Sequence, residues 1–165
     1  MIIRKLTLDD KEKLDALIEV IEENLADPNF WLPINDTARE HFFDDDWTEF
    51  YGMFDGEVLA AAAALFYNEH EFGESVKELN SGITGVAEIG RAMVHPEYRG
   101  SNLLYSINTK LVEVAREKGF RYLLATIYPE NLPSQRSFIK LGMTKQTTYR
   151  KSSGFVRDVF LMKIG

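Results

Sequence analysis

The chain has 165 residues, 45% of them apolar and 27% charged, so one domain spanning 1–165 is expected to bury a core without staples. Cysteine is absent, which excludes disulfides, thiolate metal sites and cysteine nucleophiles and fits a cytoplasmic protein. With 19 basic and 26 acidic residues the formal charge is −7, which argues against general binding to nucleic acid, since that needs clustered Lys and Arg.

Ile2 to Leu6 predicts a short first strand. The residues Met1-Ile2-Ile3-Arg4-Lys5 lack the apolar core of a signal peptide, and the longest apolar run, 58–67, is too short to cross a bilayer as a helix. No membrane partner is therefore expected. Thr7-Leu8-Asp9-Asp10 has the character of a capping box. Leu14, Leu17, Ile18, Ile21 and Leu25 then share one helical face until Asp27-Pro28-Asn29 ends the run. A second, shorter helix is expected over 35–43. Phe50 to Phe54 reads as a strand and Asp55-Gly56 as a hairpin turn. Val58 to Tyr67 is the returning strand. Alanines at 60–64 favour helix by propensity alone, but the turn needs a partner. Glu69 to Gly85 is polar and glycine-containing and reads as a loop.

Ala87 to Val94 predicts the next strand, and Leu104, Ile107, Leu111 and Val114 mark a helix ending near Lys118-Gly119. Arg121 to Ile127 is a further strand, completing a parallel crossover unit. Asn131 is an N-cap, Pro133 lies in the first turn, and Gly142 stops the last helix. Met143 to Tyr149 and Phe155 to Ile164 are two final strands around Ser152-Ser153-Gly154. The fold class is α/β (α+β), a mixed sheet with helices on both faces.

The turn from His95 to Asn102 lies between a strand and a helix start, and it carries Arg99 and Gly100. Amides at a helix N-terminus have no partner, and the helix dipole favours an anion there. A phosphate-bearing ligand is the first expectation. The chain has neither G-x-x-x-x-G-K-[ST] nor G-x-G-x-x-G, which removes the common nucleotide-binding loops. His41, His70 and His95 are too scattered for a metal site, so none is expected.

Two segments resemble the GCN5-related N-acetyltransferases, the GNAT family. Val94-His95-Pro96-Glu97-Tyr98-Arg99-Gly100 is similar to the family's V-x-P-x-x-R-G turn. Asn131 to Met143 is similar to its N-x-x-[AS]-x-x-x-[YF]-x-K-x-G-[FM] segment. The resemblance implies a mostly antiparallel sheet of about seven strands, acetyl-CoA as co-substrate, and direct attack by a primary amine. The amine would belong to a small molecule or a peptide, and a homodimer is left open. Arg99, Gly100, Ser101, Asn102, Leu103 and Leu104 would hold the pyrophosphate, chiefly through backbone N–H groups. Met93 and Val94 would pair with the pantetheine arm, and an amide near Val94 would polarise the thioester carbonyl. Asn131, Ser134 and Phe138 would line the arm. Asn102 and Leu104 stand where the family's turn carries further glycines, and Leu104 would crowd the pyrophosphate if it faced inward.

Glu88, on the strand that presents the reacting carbonyl in relatives, is the candidate base. Its bland alternative is an ion pair with Arg91 or Arg121. His95 is a second candidate base, and Lys140 is either near the adenosine phosphates or plainly solvated. Phe138 replaces the tyrosine that protonates the departing thiolate in many relatives, which leaves Tyr128, Tyr105 or water. On the acceptor side, Trp31, Trp47, Phe72 and the run Asp44-Asp45-Asp46 form either an acidic mouth or a charged helix end beside core aromatics. Leu104 and Phe138 also motivate an alternative, a non-catalytic acyl-CoA-binding module on the same fold.

Overall fold

In the computed structural model, which describes residues 1–79 and 82–165, the elements run β1 (Ile2–Lys5), α1 (Lys11–Glu23), α2 (Asp36–Glu40), β2 (Thr48–Asp55), β3 (Val58–Phe66), α3 (Glu69–Lys77), β4 (Val86–Val94), α4 (Leu103–Glu117), β5 (Tyr122–Ile127), α5 (Leu132–Leu141), β6 (Thr144–Arg150) and β7 (Val156–Lys163). The strands form one seven-stranded sheet in the order β1-β2-β3-β4-β5-β7-β6. Neighbouring strands pair antiparallel except β4 and β5, which pair parallel. A right-handed crossover through α4 is the standard way to join such a pair.

The alanine run is strand, and its burial explains the composition. Ala60 to Ala64 are all fully buried. Ala61, Ala63 and Leu65 join a core beneath α4 and α5, whereas Ala62, Ala64 and Phe66 join a second core beneath α1 and α3. Alternation sends successive side chains to opposite faces. Small residues let a helical layer approach each side of β3, so tertiary packing overrides helix propensity. On α4, Ile107 and Leu111 are completely buried, and each large apolar side chain so placed contributes about 1.5–3 kcal/mol.

Two local expectations need correction. Glu69–Lys77 is a helix rather than a loop: the Asn68 side chain accepts from the His70 amide at 2.9 Å, and Phe72 and Ser75 turn inward. Packing of that inner face outweighs the cost of Gly73 inside a helix. The rest of the expected loop includes residues 80 and 81, which lie outside the described residues. The first helix also ends sooner than expected, at Glu23, and a short 3-10 turn at Pro28–Phe30 follows, capped by Asp27. At its start the capping box is present, with Asp10 accepting from the Thr7 amide at 2.8 Å.

Candidate active site

The site begins where two strands part. β4 and β5 pair only through Val86↔Tyr122, Ala87↔Leu123 and Glu88↔Leu124. Beyond that rung β5 stays with β7 as far as Ile127↔Asp158, and β4 stays with β3 as far as Val94↔Ala61. The sheet therefore splits. A bulge sharpens the divergence: Ala62 pairs with Met93 and Ala64 with Gly90, so Arg91 and Ala92 together oppose Ala63. Arg91 sits at φ 52, in the left-handed region. A bulge of this kind bends its strand and adds twist.

At the far end of β4 the chain turns through Pro96–Tyr98 into α4. Gly100 has φ 85 and Asn102 φ 60, so Asn102 takes the left-handed conformation that glycine usually supplies. Asn is among the residues that tolerate it best. Among the described residues, no backbone carbonyl accepts from the amides of residues 100 to 105. A Cβ added to Gly100 would meet nothing within 4 Å. The corner is open, not plugged. Leu103 turns into the core at 7% exposure, while Leu104 forms part of the cavity wall. This cavity is lined by Met93, Val94, Arg99 to Leu104, Asn131 and Ser134. Unpartnered amides at a helix start suit a diphosphate, so the residues present fit coenzyme A.

A second cavity continues into the gap between β4 and β5. Phe30, Trp31, Ala92, Asn131 and Ser134 line both, so the two form one continuous cleft. Phe138 lines the inner part, and the Asn131 side chain caps α5 by accepting from the Ser134 amide at 3.4 Å. Glu88 lies at the base of this gap, 8% exposed. Burial pushes its carboxyl up to about 8; Lys151 and Arg91 oppose the rise and Glu71 adds to it. Among the described residues, no Lys, Arg or His nitrogen lies within 4.0 Å of that carboxyl, so the ion-pair alternative is not realised.

Other expected residues fall outside the cleft. Trp31 lines it, but Trp47 stacks on His41 at 3.6 Å between ring centres, and Phe72 is buried under α3. Asp45 pairs with Lys5 at 2.5 Å and Asp44 with His41 at 3.0 Å. The acidic run is thus a charged loop beside packed aromatics, not the mouth of the site, because local ion pairs hold it. His95 accepts from the Glu97 amide at 3.2 Å within its own turn, and it lines neither cavity. Lys140 sits 4.1 Å over the Tyr105 ring, away from both cavities. Tyr128 does line the gap; its hydroxyl donates to Glu130 at 2.7 Å, and that bond pushes its pKa up to about 12.

Several lining residues escaped the sequence reading. Lys151 and Arg157 lie in the last hairpin, where the strand pattern shows nothing unusual. Arg91 donates to the carbonyls of Leu32 and Pro33, and Arg157 donates to that of Asn29 at 2.7 Å. Together they pin the 29–33 segment, with Phe30 and Trp31, across the gap. The one available signal was an arginine among apolar residues in Val156–Lys163, and it does not reveal a partner 128 positions away.

Among solved structures, this fold is shared by an N-acetyltransferase of Staphylococcus aureus (TM-score 0.73, 16% identity, covering 99% of this chain and 98% of that one). It is shared as well by a ribosomal-protein-alanine N-acetyltransferase of Brucella melitensis (TM-score 0.75, 17% identity, 99% of each chain). A third is the yncA protein of Salmonella typhimurium, solved with its cofactor acetyl-CoA (TM-score 0.72, 16% identity, 100% of this chain and 94% of that one). Identities this low speak for the fold. No curated protein sequence matches the chain. The family model for the acetyltransferase (GNAT) family matches residues 15–143, a span that holds the parted strands, the open amide corner and Glu88, and this chain belongs to that family.

Proposed function

We propose that the protein transfers an acetyl group from acetyl-CoA to a primary amine by direct attack within a ternary complex. The observation that carries this reading is the continuous cleft, with unpartnered amides of residues 100 to 105 at one end and the buried Glu88 carboxyl at the other. Acetyl-CoA supplies the acyl group as a thioester; the amine nitrogen bonds to its carbonyl carbon and the C–S bond breaks.

Arg99, Gly100, Ser101, Asn102, Leu103 and Leu104 hold the pyrophosphate, the arginine by charge and the rest by main-chain N–H groups. Met93 and Val94 present β4 peptide groups to the pantetheine arm on the edge that β5 has left, and an amide there polarises the carbonyl. Asn131, Ser134 and Phe138 form the opposite wall. Glu88 removes the proton an alkyl ammonium must lose, since an unperturbed amine has a pKa of about 10.4. A carboxyl poised near 8 is a far better match to that proton than an ordinary one near 4. Phe138 cannot donate a proton to the thiolate. A thiol of pKa about 8.5 leaves without obligatory acid help, and Tyr128 is a phenol lining the same gap.

The test is a CoA-release assay over small amines, amino acids, polyamines and peptide N-termini, with Glu88→Gln and Arg99→Ala alongside the parent. Arg99→Ala should weaken acetyl-CoA binding, and Glu88→Gln should spare binding while slowing transfer. Stabilisation by acetyl-CoA with no thiol release from any amine would instead establish the non-catalytic binding module.

A further inference from the structure

Arg157 is an unusual cation. It is 3% exposed, yet among the described residues no carboxylate lies within 4.0 Å of its guanidinium. Its hydrogen bonds go to the backbone carbonyls of Val156 and Asn29, at 2.8 and 2.7 Å. The rings of Tyr128 and Phe155 flank it, each 5.5 Å away. An arginine has more N–H groups than these bonds use. A buried charge without a counter-ion is costly, and the group stays ionised.

Arg157 does not stand alone. Arg91, across the gap on β4, also lacks a carboxylate within 4.0 Å and stacks over Trp31 at 5.0 Å. Lys151 reaches the Tyr149 and Ser75 hydroxyls, at 3.2 and 3.5 Å. All three cations line the inner cleft, against two carboxyls, Glu71 and Glu88. Burial shifts both carboxyls toward the neutral form. With three cations against two carboxyls, the lining of the gap is net positive, although the chain as a whole is acidic. A purely cationic acceptor, such as a polyamine, would meet repulsion there. The apolar walls are Phe30, Trp31, Phe66 and Tyr128.

We propose that the acceptor is an amine that also carries a carboxylate, an amino acid or short aminocarboxylate, whose carboxylate pairs with Arg157 while its amine faces Glu88 at the base of the gap. This rests on the transferase reading above and narrows its substrate. The planar guanidinium fork matches a carboxylate geometrically, and the ligand supplies the counter-ion that the protein lacks.

The experiment has two arms. In the first, thiol release is compared across matched sets: L-leucine, L-leucinamide and isopentylamine; L-phenylalanine, L-phenylalaninamide and phenethylamine. Carboxylates should be favoured in kcat/KM by about 10- to 100-fold, the worth of one charge-assisted hydrogen bond. Arg157→Gln should erase that preference mainly through KM, Arg157→Lys should restore part of it, and Lys151→Gln should lower it without disturbing acetyl-CoA binding. In the second arm, CoA-loaded protein is titrated with N-acetyl-leucine and N-acetyl-phenylalanine and with their carboxamides. Tighter binding of the acids supports the proposal even if turnover is slow. Equal or weaker binding of the acids, or binding by neither, overturns it. Brisk turnover of the amides and bare amines would sink the carboxylate assignment and leave the transferase standing; acetyl-CoA binding without any turnover would sink the transferase, and the titration would still decide the carboxylate site.

Discussion

Glu88 faces Leu124 on the last rung that joins β4 to β5, so its carboxyl sits where the sheet opens. Its neighbours Ala87 and Ile89 point to the opposite face of the sheet, into the core beneath α4 and α5. The carboxyl is buried by both halves of the sheet, and that burial raises its pKa to about 8. The value of kcat/KM should rise with pH through an apparent pKa near 8, and Glu88→Gln should flatten that limb. A pH–rate profile with saturating acetyl-CoA checks it.

The same group makes a stability prediction of definite sign. Its folded value lies above the ordinary 4.5. Between these two values the native state keeps a proton that the unfolded chain has lost. Stability contributed by Glu88 is therefore lost as pH rises from about 4.5 through 8. Thermal midpoints of the parent should fall across that window relative to those of Glu88→Gln.

Asp10 behaves in the opposite way. It is 5% exposed and accepts both Arg4 guanidinium nitrogens at 2.8 Å, together with the Thr7 amide. The Arg4 hydrogen bonds, helped by that amide, pull its pKa down from 3.8 to about 2. Its contribution is complete above pH 3.8 and is lost as pH falls through 2. Asp10→Ala should cost about 1–3 kcal/mol at neutral pH, because the Thr7 amide and the Arg4 guanidinium lose their carboxylate acceptor. Urea titrations at pH 7 and pH 2 should show the difference shrinking in acid.

Gly100 and Asn102 test the anion corner. Gly100→Ala meets no side chain, but its φ of 85 strains any residue with a Cβ, at about 1–2 kcal/mol. We expect a modest loss of stability and weaker binding of acetyl-CoA as the amides shift. Asn102→Gly removes the residual strain at φ 60 and should leave affinity equal or better. Calorimetric titration with CoA distinguishes the two.

Gly90 lies beside the Glu88 carboxyl. A Cβ there would sit 2.8 Å from Phe66 Cε2 and 3.5 Å from Glu88 Oε1. Gly90→Ala should cost about 1–3 kcal/mol through overpacking, and it should lower kcat more than it raises the KM for acetyl-CoA. Steady-state kinetics beside a thermal melt would show both effects.

Much of this is legible in the amino-acid sequence. Each strand boundary lies within a few residues of its expected place, because alternation, the Asp55-Gly56 turn, the Asn131 cap and Gly142 are local signals. The amide corner was readable for the same reason: Arg99-Gly100 between a strand and an amphipathic helix is a contiguous pattern. Glu69–Lys77 was missed, since its helix depends on Phe72 and Ser75 finding an inner face, and composition alone argued for a loop. The acidic run at 44–46 is misleading because Lys5, the cation that holds Asp45, lies 40 positions away in sequence.

Local chemistry in the chain dictates the element order, the open turn at 99–104 and the carboxyl on β4, since hydrogen-bonding and side-chain periodicity act between near neighbours. Folding decides the charge of the inner cleft. Arg91, Lys151 and Arg157 come together only when β7 pairs beside β5 and the 29–33 segment is drawn across the gap. Electrostatic fields depend on distance through space and on exclusion of water, and neither can be read from separation along a chain.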